Sequence, residues 1–482
     1  MLNKIALFFF LVHFNLVRSD INYAIQFDAG SSGTRMYVYE YLNDFKNMLN
    51  SNITLRQIGL CRTKGSIISH QFYLDKGIAT IKTYTELKHS FSKCMIQARK
   101  LVPVAKWNQT LITLKATAGM RLSELSSPSI SKTIFHMIRH YFNQSGFLYK
   151  NESQVETISG KDEALNAWIT ANFLANNFHQ DSNESTKGVL DLGGASTQIS
   201  FVPLNQSLMD NLLNKNLFGK NYSVYSQSFL CFGIDQARLV YRTSLINGSN
   251  DSASVLSPCM PKNFEKNFQT LDILRSPCGS GSIKNQSTNL SDFNVTLKGS
   301  SDFGKCQIEV KNLLSDKKEC RTGQDACSFK EIKFPDTKEV EFYAISVFYY
   351  TVQASNLLFN SSFDSDIEGF RNVTELLCSF NYEELVARDE IFKADLKLLT
   401  KFGINTFENV HFVDKINGYN VGWNLGLFLL QKNTKAKSFF ASCQNYQNLV
   451  KLFYGVYDTL PTCRIIQRLN FASNAQQSFD SK

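Results

Sequence analysis

Long runs of lysine and arginine are missing from this chain of 482 residues, and so are long apolar runs beyond its first twenty positions. The formal net charge is +9, from 51 basic and 42 acidic residues. Spread without blocks, such a balance makes an ordinary mixed surface, and nucleic acid is not an expected partner. A mild positive bias suits an anionic substrate. A membrane-spanning helix needs about 20 apolar residues, so none is expected after residue 20. The stretch Asn474-Ala475-Gln476-Gln477-Ser478 is polar and offers no hydrophobic tail for a lipid anchor. No nucleophilic Cys motif, Ser–His pair or phosphoryl-histidine motif is evident, so no covalent enzyme intermediate is expected. Cys320 and Cys327 lack both the spacing and the neighbouring His of a zinc site.

What the chain does have is 43% hydrophobic residues, ample for two cores. Lys4 followed by Ile5-Ala6-Leu7-Phe8-Phe9-Phe10-Leu11-Val12 reads as a secretory signal peptide over residues 1–19, cleaved near Arg18-Ser19-Asp20. Glycosylation acceptors are dense, among them Asn52, Asn108, Asn143, Asn151 and Asn221, each followed two residues on by Ser or Thr. The 11 cysteines fit an oxidising compartment. Together these point to a secreted glycoprotein, with retention in the secretory lumen as the alternative.

Two stretches of the sequence rhyme. One is Ile25 to Val38, containing Asp28-Ala29-Gly30-Ser31-Ser32-Gly33-Thr34-Arg35. The other is Gly188 to Phe201, containing Asp191-Leu192-Gly193-Gly194-Ala195-Ser196-Thr197-Gln198. Each runs apolar strand, Asp, small hydroxyl-bearing residues, second strand. Each reads as a tight β-hairpin whose glycines let the backbone turn and a ligand approach. Backbone N–H groups and hydroxyls at such a turn suit phosphate. Ser31, Ser32, Gly33 and Thr34 of the first, and Gly193, Gly194, Ala195 and Thr197 of the second, are the candidate donors. Asp28 and Asp191 are placed to hold a hydrated Ca²⁺ or Mg²⁺ ion, largely through water. Two copies imply a duplicated fold that closes on a polyphosphate from both sides.

Between the hairpins, Ile81 to Val102 reads as an amphipathic helix and Thr110 to Leu114 as a strand leading into Lys115-Ala116-Thr117-Ala118-Gly119-Met120-Arg121. Ser131 to Phe147 reads as a further helix. Val155 to Phe173 goes strand, turn, helix, with Ser159 and Asp162 spaced for a helix cap, which frees Glu163 to point elsewhere. Residues 200–333 are Asn- and Ser-rich, hold most of the cysteines and read as loops and short strands. Phe342 to Thr351 reads as the start of an apolar helix, Asn409 to Val413 as a strand, and Gly418 to Leu429 as a turn into a helix.

The two hairpin motifs resemble the first and fourth conserved regions of the apyrases, the nucleoside triphosphate diphosphohydrolases, within the superfamily of actin, the heat-shock ATPases and the sugar kinases. Lys115 to Leu122 resembles the second region, Val155 to Phe173 the third, and Gly418 to Leu429, with Trp423 and Gly426, the fifth. The resemblance covers nearly the whole chain after residue 20. It implies a two-lobed α/β fold of the ribonuclease H-like (actin-like) type with its active site in the interlobe cleft. Lobe one is then Asp20 to about Val155 plus Gly422 to Lys482. Lobe two is the segment between, with a disulfide-rich insertion over about 205–333.

The resemblance implies Glu163 as the catalytic glutamate, Ser196 and Gln198 as groups that orient the attacking water, and Thr117 as a group that helps position water or metal. Arg121 is expected to brace the loop rather than touch substrate. An aromatic, Tyr349 or else Tyr350, would stack on the nucleobase, with Arg388 opposite. Relatives on animal cell surfaces imply disulfides Cys61–Cys94, Cys231–Cys278, Cys259–Cys306 and Cys320–Cys327; a fifth pair, Cys443–Cys463, is added here and leaves Cys378 outside the five. Nucleoside di- or triphosphate is the implied substrate and a monomer the expected state. Three features keep alternatives open. Gly33 stands where triphosphatases of the family often carry His, which leans towards a luminal diphosphatase for GDP or UDP. Ala164 and Asn166 replace the Gly and aromatic usual beside the glutamate, which leaves room for a non-catalytic nucleotide-binding protein. The fold also serves phosphotransferases, against which the secretory address argues.

Overall fold

The computed structural model describes residues 21–42, 54–63, 77–178, 185–204, 212–248, 254–270, 276–280, 294–315, 335–359, 367–384 and 410–434. The signal-peptide segment, Arg388, and Cys320, Cys327, Cys443 and Cys463 lie outside the described residues.

The first sheet comprises β1 (Ile21–Gly30), β2 (Gly33–Leu42), β3 (Leu55–Arg62), β4 (Leu111–Ala116) and β5 (Val155–Thr157), in the order β3-β2-β1-β4-β5. The first three strands are antiparallel; β4 and β5 run parallel to β1. Alternation along β1 and β2 sends Ile25, Phe27, Ala29, Met36 and Val38 to one core, and Ala24, Tyr37, Tyr39 and Tyr41 to another on the opposite face. The first core is covered by helix α1 (Tyr84–Leu101) through Leu87, Phe91, Met95 and Ala98. Thr83 and Glu86 close α1 with a reciprocal capping box, so it begins slightly later than the periodicity suggests. Cys61–Cys94 ties β3 to α1. Next come α2 (Ala118–Ser126) and α3 (Pro128–Asn143). The last of these starts before the expected Ser131 because Pro128 is pre-set for a first helical turn. It ends before Gly146, whose φ is +84°.

The helix α4 (Gly160–Leu174) leads to the second sheet. There β6 (Gly188–Leu192), β7 (Ser196–Phe201), β8 (Leu212–Leu217), β9 (Lys220–Leu230), β13 (Phe342–Ser346) and β14 (Val410–Phe412) take the order β14-β13-β6-β7-β9-β8. With the edge strand β8 set aside, this is the first sheet again: an antiparallel trio whose first strand is flanked by two parallel ones.

Two expectations are corrected here. Residues 200–333 carry more regular structure than loops: β8 and β9 belong to the main sheet, and α5 (Ile234–Gly248) and α6 (Phe303–Ser315) are full helices. They frame a small sheet of β10 (Ser254–Ser257), β12 (Asn294–Gly299) and β11 (Glu265–Gln269) in that order, with Cys231–Cys278 and Cys259–Cys306 formed as expected. The long β9 was hidden because its polar residues pair across to other strands. The second correction is Phe342 to Ser346, a central strand rather than the start of a helix; the helix α7 (Val347–Phe359) begins only after it. A short apolar run does not distinguish a buried strand from a buried helix. Ser346, at φ +61°, makes the break.

A last helix over 423–434 packs back on α4. Trp423, Leu425, Phe428 and Leu429 share one core with Trp168 of α4 and with Tyr39 and Tyr41 of the first sheet. Among the described residues, no helix is long and apolar enough to cross a membrane. The approach of the last helix to α4 requires Gly426. A Cβ there would lie 1.9 Å from the Asn166 carbonyl oxygen, while the Gly426 N–H donates to the Thr170 hydroxyl at 2.7 Å. Gly426→Ala is expected to cost about 1–3 kcal/mol by overpacking, read from urea unfolding; unchanged stability would contradict this close approach.

Candidate active site

The tips of the two hairpins meet. Gly194 of the second lies so close to the first that a Cβ there would fall 2.8 Å from Ser31 Oγ. Ser31 and Ser32 form a two-residue turn between Gly30 and Gly33, and Gly33 has φ +150°, a region open to glycine. Thr34 is buried, and its hydroxyl has no partner among the described residues. The second tip is braced from behind: Ile234 N–H donates to Gly193, and Asp235 and Gln236 N–H to Gly194. Thr197 is fully buried and its hydroxyl donates to the Phe232 carbonyl at 2.6 Å. That hydroxyl is therefore committed to the fold.

Under these tips sits a buried polar network. Glu163 lies in the first turn of α4, after Ser159 has capped the helix by accepting from the Asp162 N–H at 3.1 Å. Arg121 of α2 donates through Nη1 and Nη2 to Glu163 Oε2, both at 3.0 Å, and through Nη1 to the Ile158 carbonyl at 3.2 Å. Its Nη2 also reaches Ser196 Oγ at 3.1 Å. The Gln198 amide donates to Ser196 Oγ at 2.5 Å, with Ser228 Oγ at 3.2 Å and Glu163 Oε2 at 3.3 Å. Ser196 thus accepts from two side chains. A hydroxyl has one proton and two acceptor sites, so its proton is left for a third oxygen. Thr117 is buried at the start of α2, its N–H donating to the Ala29 carbonyl.

Asp28 and Asp191 are buried at the ends of β1 and β6. Burial, and to a lesser degree Asp191, pushes the Asp28 carboxyl up to about 6 against the pull of Arg35, 3.4 Å away, and of the Trp423 indole. Burial likewise raises Asp191, opposed by a hydrogen bond from Ser346 and by the charge of Arg35. Glu163 is pushed up to about 8, first by burial and then by Asp191 and Asp28, against the pull of Arg121. The donor set suits a hard divalent cation, being carboxylate, carbonyl and hydroxyl oxygen without thiolate or imidazole. Among the described residues, no three His, Cys, Asp or Glu side chains gather tightly enough to ligate a metal together. A cation here would rely on water and substrate oxygens, as Asp28 and Asp191 lead one to expect.

The structure therefore brings Glu163, Ser196, Gln198 and Arg121 into contact, and sets Asp28 and Asp191 beside them. Tyr349 and Tyr350 start α7; their rings are 5.4 Å apart, and Tyr350 is 60% exposed. Sequence reasoning gave no role to Arg35, Ser228 or Ser346 and placed Trp423 in the fifth conserved region without assigning it a contact. Ser228 is found only by knowing that β7 pairs with β9 opposite Gln198. Ser346 could have been found by reading Phe342 to Ser346 as a strand. Ala164 and Asn166 are both buried in α4, and neither is among the side chains that bond Glu163.

A model of the GDA1/CD39 (nucleoside phosphatase) family matches residues 15–444. Ectonucleoside triphosphate diphosphohydrolase 3 of Homo sapiens is 31% identical over 443 residues, covering 86% of this chain and 78% of that one. Ectonucleoside triphosphate diphosphohydrolase 1 of Bos taurus is 29% identical over 441 residues, covering 85% and 81%. A nucleoside triphosphate hydrolase crystal structure from Neospora caninum superposes with a TM-score of 0.59 at 14% identity, over 90% of this chain and 97% of that one, which bears on the fold. With its twin sheets and facing hairpins, the molecule is a two-lobed actin-like α/β hydrolase of nucleotide phosphates. The chain belongs to the GDA1/CD39 nucleoside phosphatase family.

The raised carboxyls make stability depend on pH. A carboxyl that titrates higher when folded holds its proton longer in the folded state, so stability falls as pH rises between the two values. For Glu163 that window runs from its ordinary 4.5 to about 8; for Asp28 it closes near 6. In EDTA, the Tm of the protein is expected to fall between pH 6 and 8, and Glu163→Gln to flatten that decline. A decline of equal slope in the variant would contradict the burial-driven shift.

Proposed function

We propose that the chain is a secreted apyrase that converts nucleoside tri- and diphosphates to monophosphates and phosphate by direct attack of water. The observation that carries this reading is the network of Glu163, Arg121, Ser196 and Gln198 beneath two touching hairpin tips. Ser31, Ser32, Gly33 and Thr34 would hold phosphate from one side, and Gly193, Gly194 and Ala195 from the other, with donors aimed where charge develops. Thr197 contributes its backbone rather than its hydroxyl. Asp28 and Asp191 would hold a Ca²⁺ or Mg²⁺ ion through water, and that ion, when bound, neutralises the phosphate oxygens. Glu163 takes the proton of a water that Ser196 and Gln198 orient, and Thr117, at the start of α2, would help position water or metal. Arg121 holds the carboxylate in place and opposes the protonation that burial favours. Of the two tyrosines, the exposed Tyr350 is the better placed to stack on a base.

Phosphate release from ATP and ADP with Ca²⁺ tests this reading. Both are expected to be hydrolysed, EDTA to stop the reaction, and Glu163→Gln to lower kcat by about 10²–10⁴-fold. Undiminished turnover in Glu163→Gln would remove the glutamate from the role. Gly33 favours a second reading, a luminal enzyme restricted to diphosphates such as GDP or UDP; its mark would be release from diphosphates alone.

A further inference from the structure

The two hairpin tips are braced differently. Behind the first, Gly77 N–H donates to the Ser31 carbonyl at 3.3 Å and Thr117 N–H to the Ala29 carbonyl at 3.1 Å. Behind the second runs one continuous segment, residues 231–236, which takes up three carbonyls of the tip. Cys231 N–H donates to Ala195 at 2.9 Å, Ile234 N–H to Gly193 at 3.0 Å, and Asp235 and Gln236 N–H to Gly194 at 2.8 and 3.2 Å. The Thr197 hydroxyl donates to the Phe232 carbonyl of the same segment. Gly233 packs directly against the tip, where a Cβ would fall 2.3 Å from Ala195 N. In a planar trans peptide the N–H points opposite to the C=O. Holding the Gly193, Gly194 and Ala195 carbonyls on the brace therefore turns the Gly194, Ala195 and Ser196 N–H groups away from it.

The brace starts from an unusual residue. Cys231 follows the last residue of β9 and has φ +74°, a left-handed conformation that residues other than glycine rarely adopt. There the chain leaves the strand and turns behind the tip. Cys231 is also bonded to Cys278. Cys278 is buried in a cluster with Ala195 of the tip, with Leu230 and Val240, and with Ala118 and Leu122 of α2, the helix that carries Arg121. The chain at Cys278 meets the brace a second time, since Ser276 Oγ donates to Gln236 Oε1 at 2.5 Å. A strained backbone persists only where its surroundings over-determine it.

We propose that the Cys231–Cys278 disulfide is a positioning element for the reaction: it holds Cys231 left-handed, and through the brace it sets the second tip and Ser196 beside it. This rests on the nucleotide-hydrolase reading above. Ser196 belongs to the network around Glu163, so a shift of the tip carries to the groups that orient water. A misplacement of about 1 Å in such a site can cost about 10²-fold in rate. Another disulfide supplies the comparison. Cys259–Cys306 spans 47 residues, as Cys231–Cys278 does, so the two remove the same loop entropy from the unfolded chain. Cys259–Cys306 joins the chain after β10 to α6 and includes no residue of the brace.

The test removes each bond by a pair of substitutions and reads Tm beside kcat and KM for ATP and ADP. Cys231→Ala/Cys278→Ala and Cys259→Ala/Cys306→Ala are expected to lower Tm alike, and only the former to lower kcat, by about tenfold. Cys231→Gly/Cys278→Ala should recover most of that kcat but not the Tm. Glycine adopts a positive φ unaided, yet it adds freedom to the unfolded chain. Unchanged kcat in the alanine pair, or no gain of glycine over alanine, would overturn the proposal and leave the bond a staple. Should the alanine pair not fold, parent-like kcat in the glycine pair supports the proposal and a tenfold loss there overturns it. Hydrogen exchange of the peptide spanning residues 190–198 needs no turnover. It should be faster in the alanine pair than in the parent and the glycine pair; equal exchange in all three would overturn the proposal. If the parent releases no phosphate, the hydrolase reading fails, while this exchange still decides whether the bond sets the tip.

Discussion

The contact on which the rest of the site depends is the one between Arg121 and Glu163. Two guanidinium nitrogens lie 3.0 Å from one carboxylate oxygen, and both side chains are buried. Arg121 comes from the helix that follows the first sheet's fourth strand; Glu163 comes from the helix that leads to the second sheet. Ser196, held by the same guanidinium, comes from the second hairpin. One cation thus fixes three elements from different parts of the chain. Burial makes that arrangement demanding. Removing one partner of a buried pair costs about 3–5 kcal/mol because a charge is left uncompensated. The pair is accordingly weak evidence of stability and strong evidence of a geometry held for chemistry.

Around this contact the charges are nearly balanced. Three carboxylates, Asp28, Asp191 and Glu163, act on one another through low-dielectric surroundings, with Arg35 and Arg121 as the guanidiniums that counter them. Duplication explains how such a cluster arises. Each sheet ends its first strand in an aspartate and turns through small residues, so two identical local solutions face each other across the cleft. In the proposed reading the duplicated part supplies phosphate and cation contacts from both sides. The parts that break the symmetry are Glu163, which has no counterpart in the hairpins, and the difference between Arg35 and Gln198 opposite the two aspartates.

Much of this was legible in the sequence. The hairpins announce themselves by Asp, Gly and hydroxyl residues between alternating strands. Glu163 stands out because Ser159 satisfies the helix start, leaving the next carboxylate to face inward. Three disulfides formed as the resemblance implied. What stayed hidden depends on pairing between distant segments. Ser228 meets Gln198 only through the β7–β9 register, and Trp423 reaches Asp28 only after the last helix has packed on α4. Phe342 to Ser346 was misread because a buried parallel strand is apolar on both faces and shows no period of its own. Arg35 was visible but mute, since its meaning lies in the register that sets it beside Asp28 and opposite Arg62.

The central claim is a single displacement by water in this cleft, with no enzyme-bound phosphate. The stereochemical course at the transferred phosphorus tests it most directly. A nucleoside triphosphate chiral at its terminal thiophosphate, hydrolysed in isotopically labelled water, should release inorganic thiophosphate of inverted configuration. Retention would mean two displacements and a covalent intermediate, and would contradict the account.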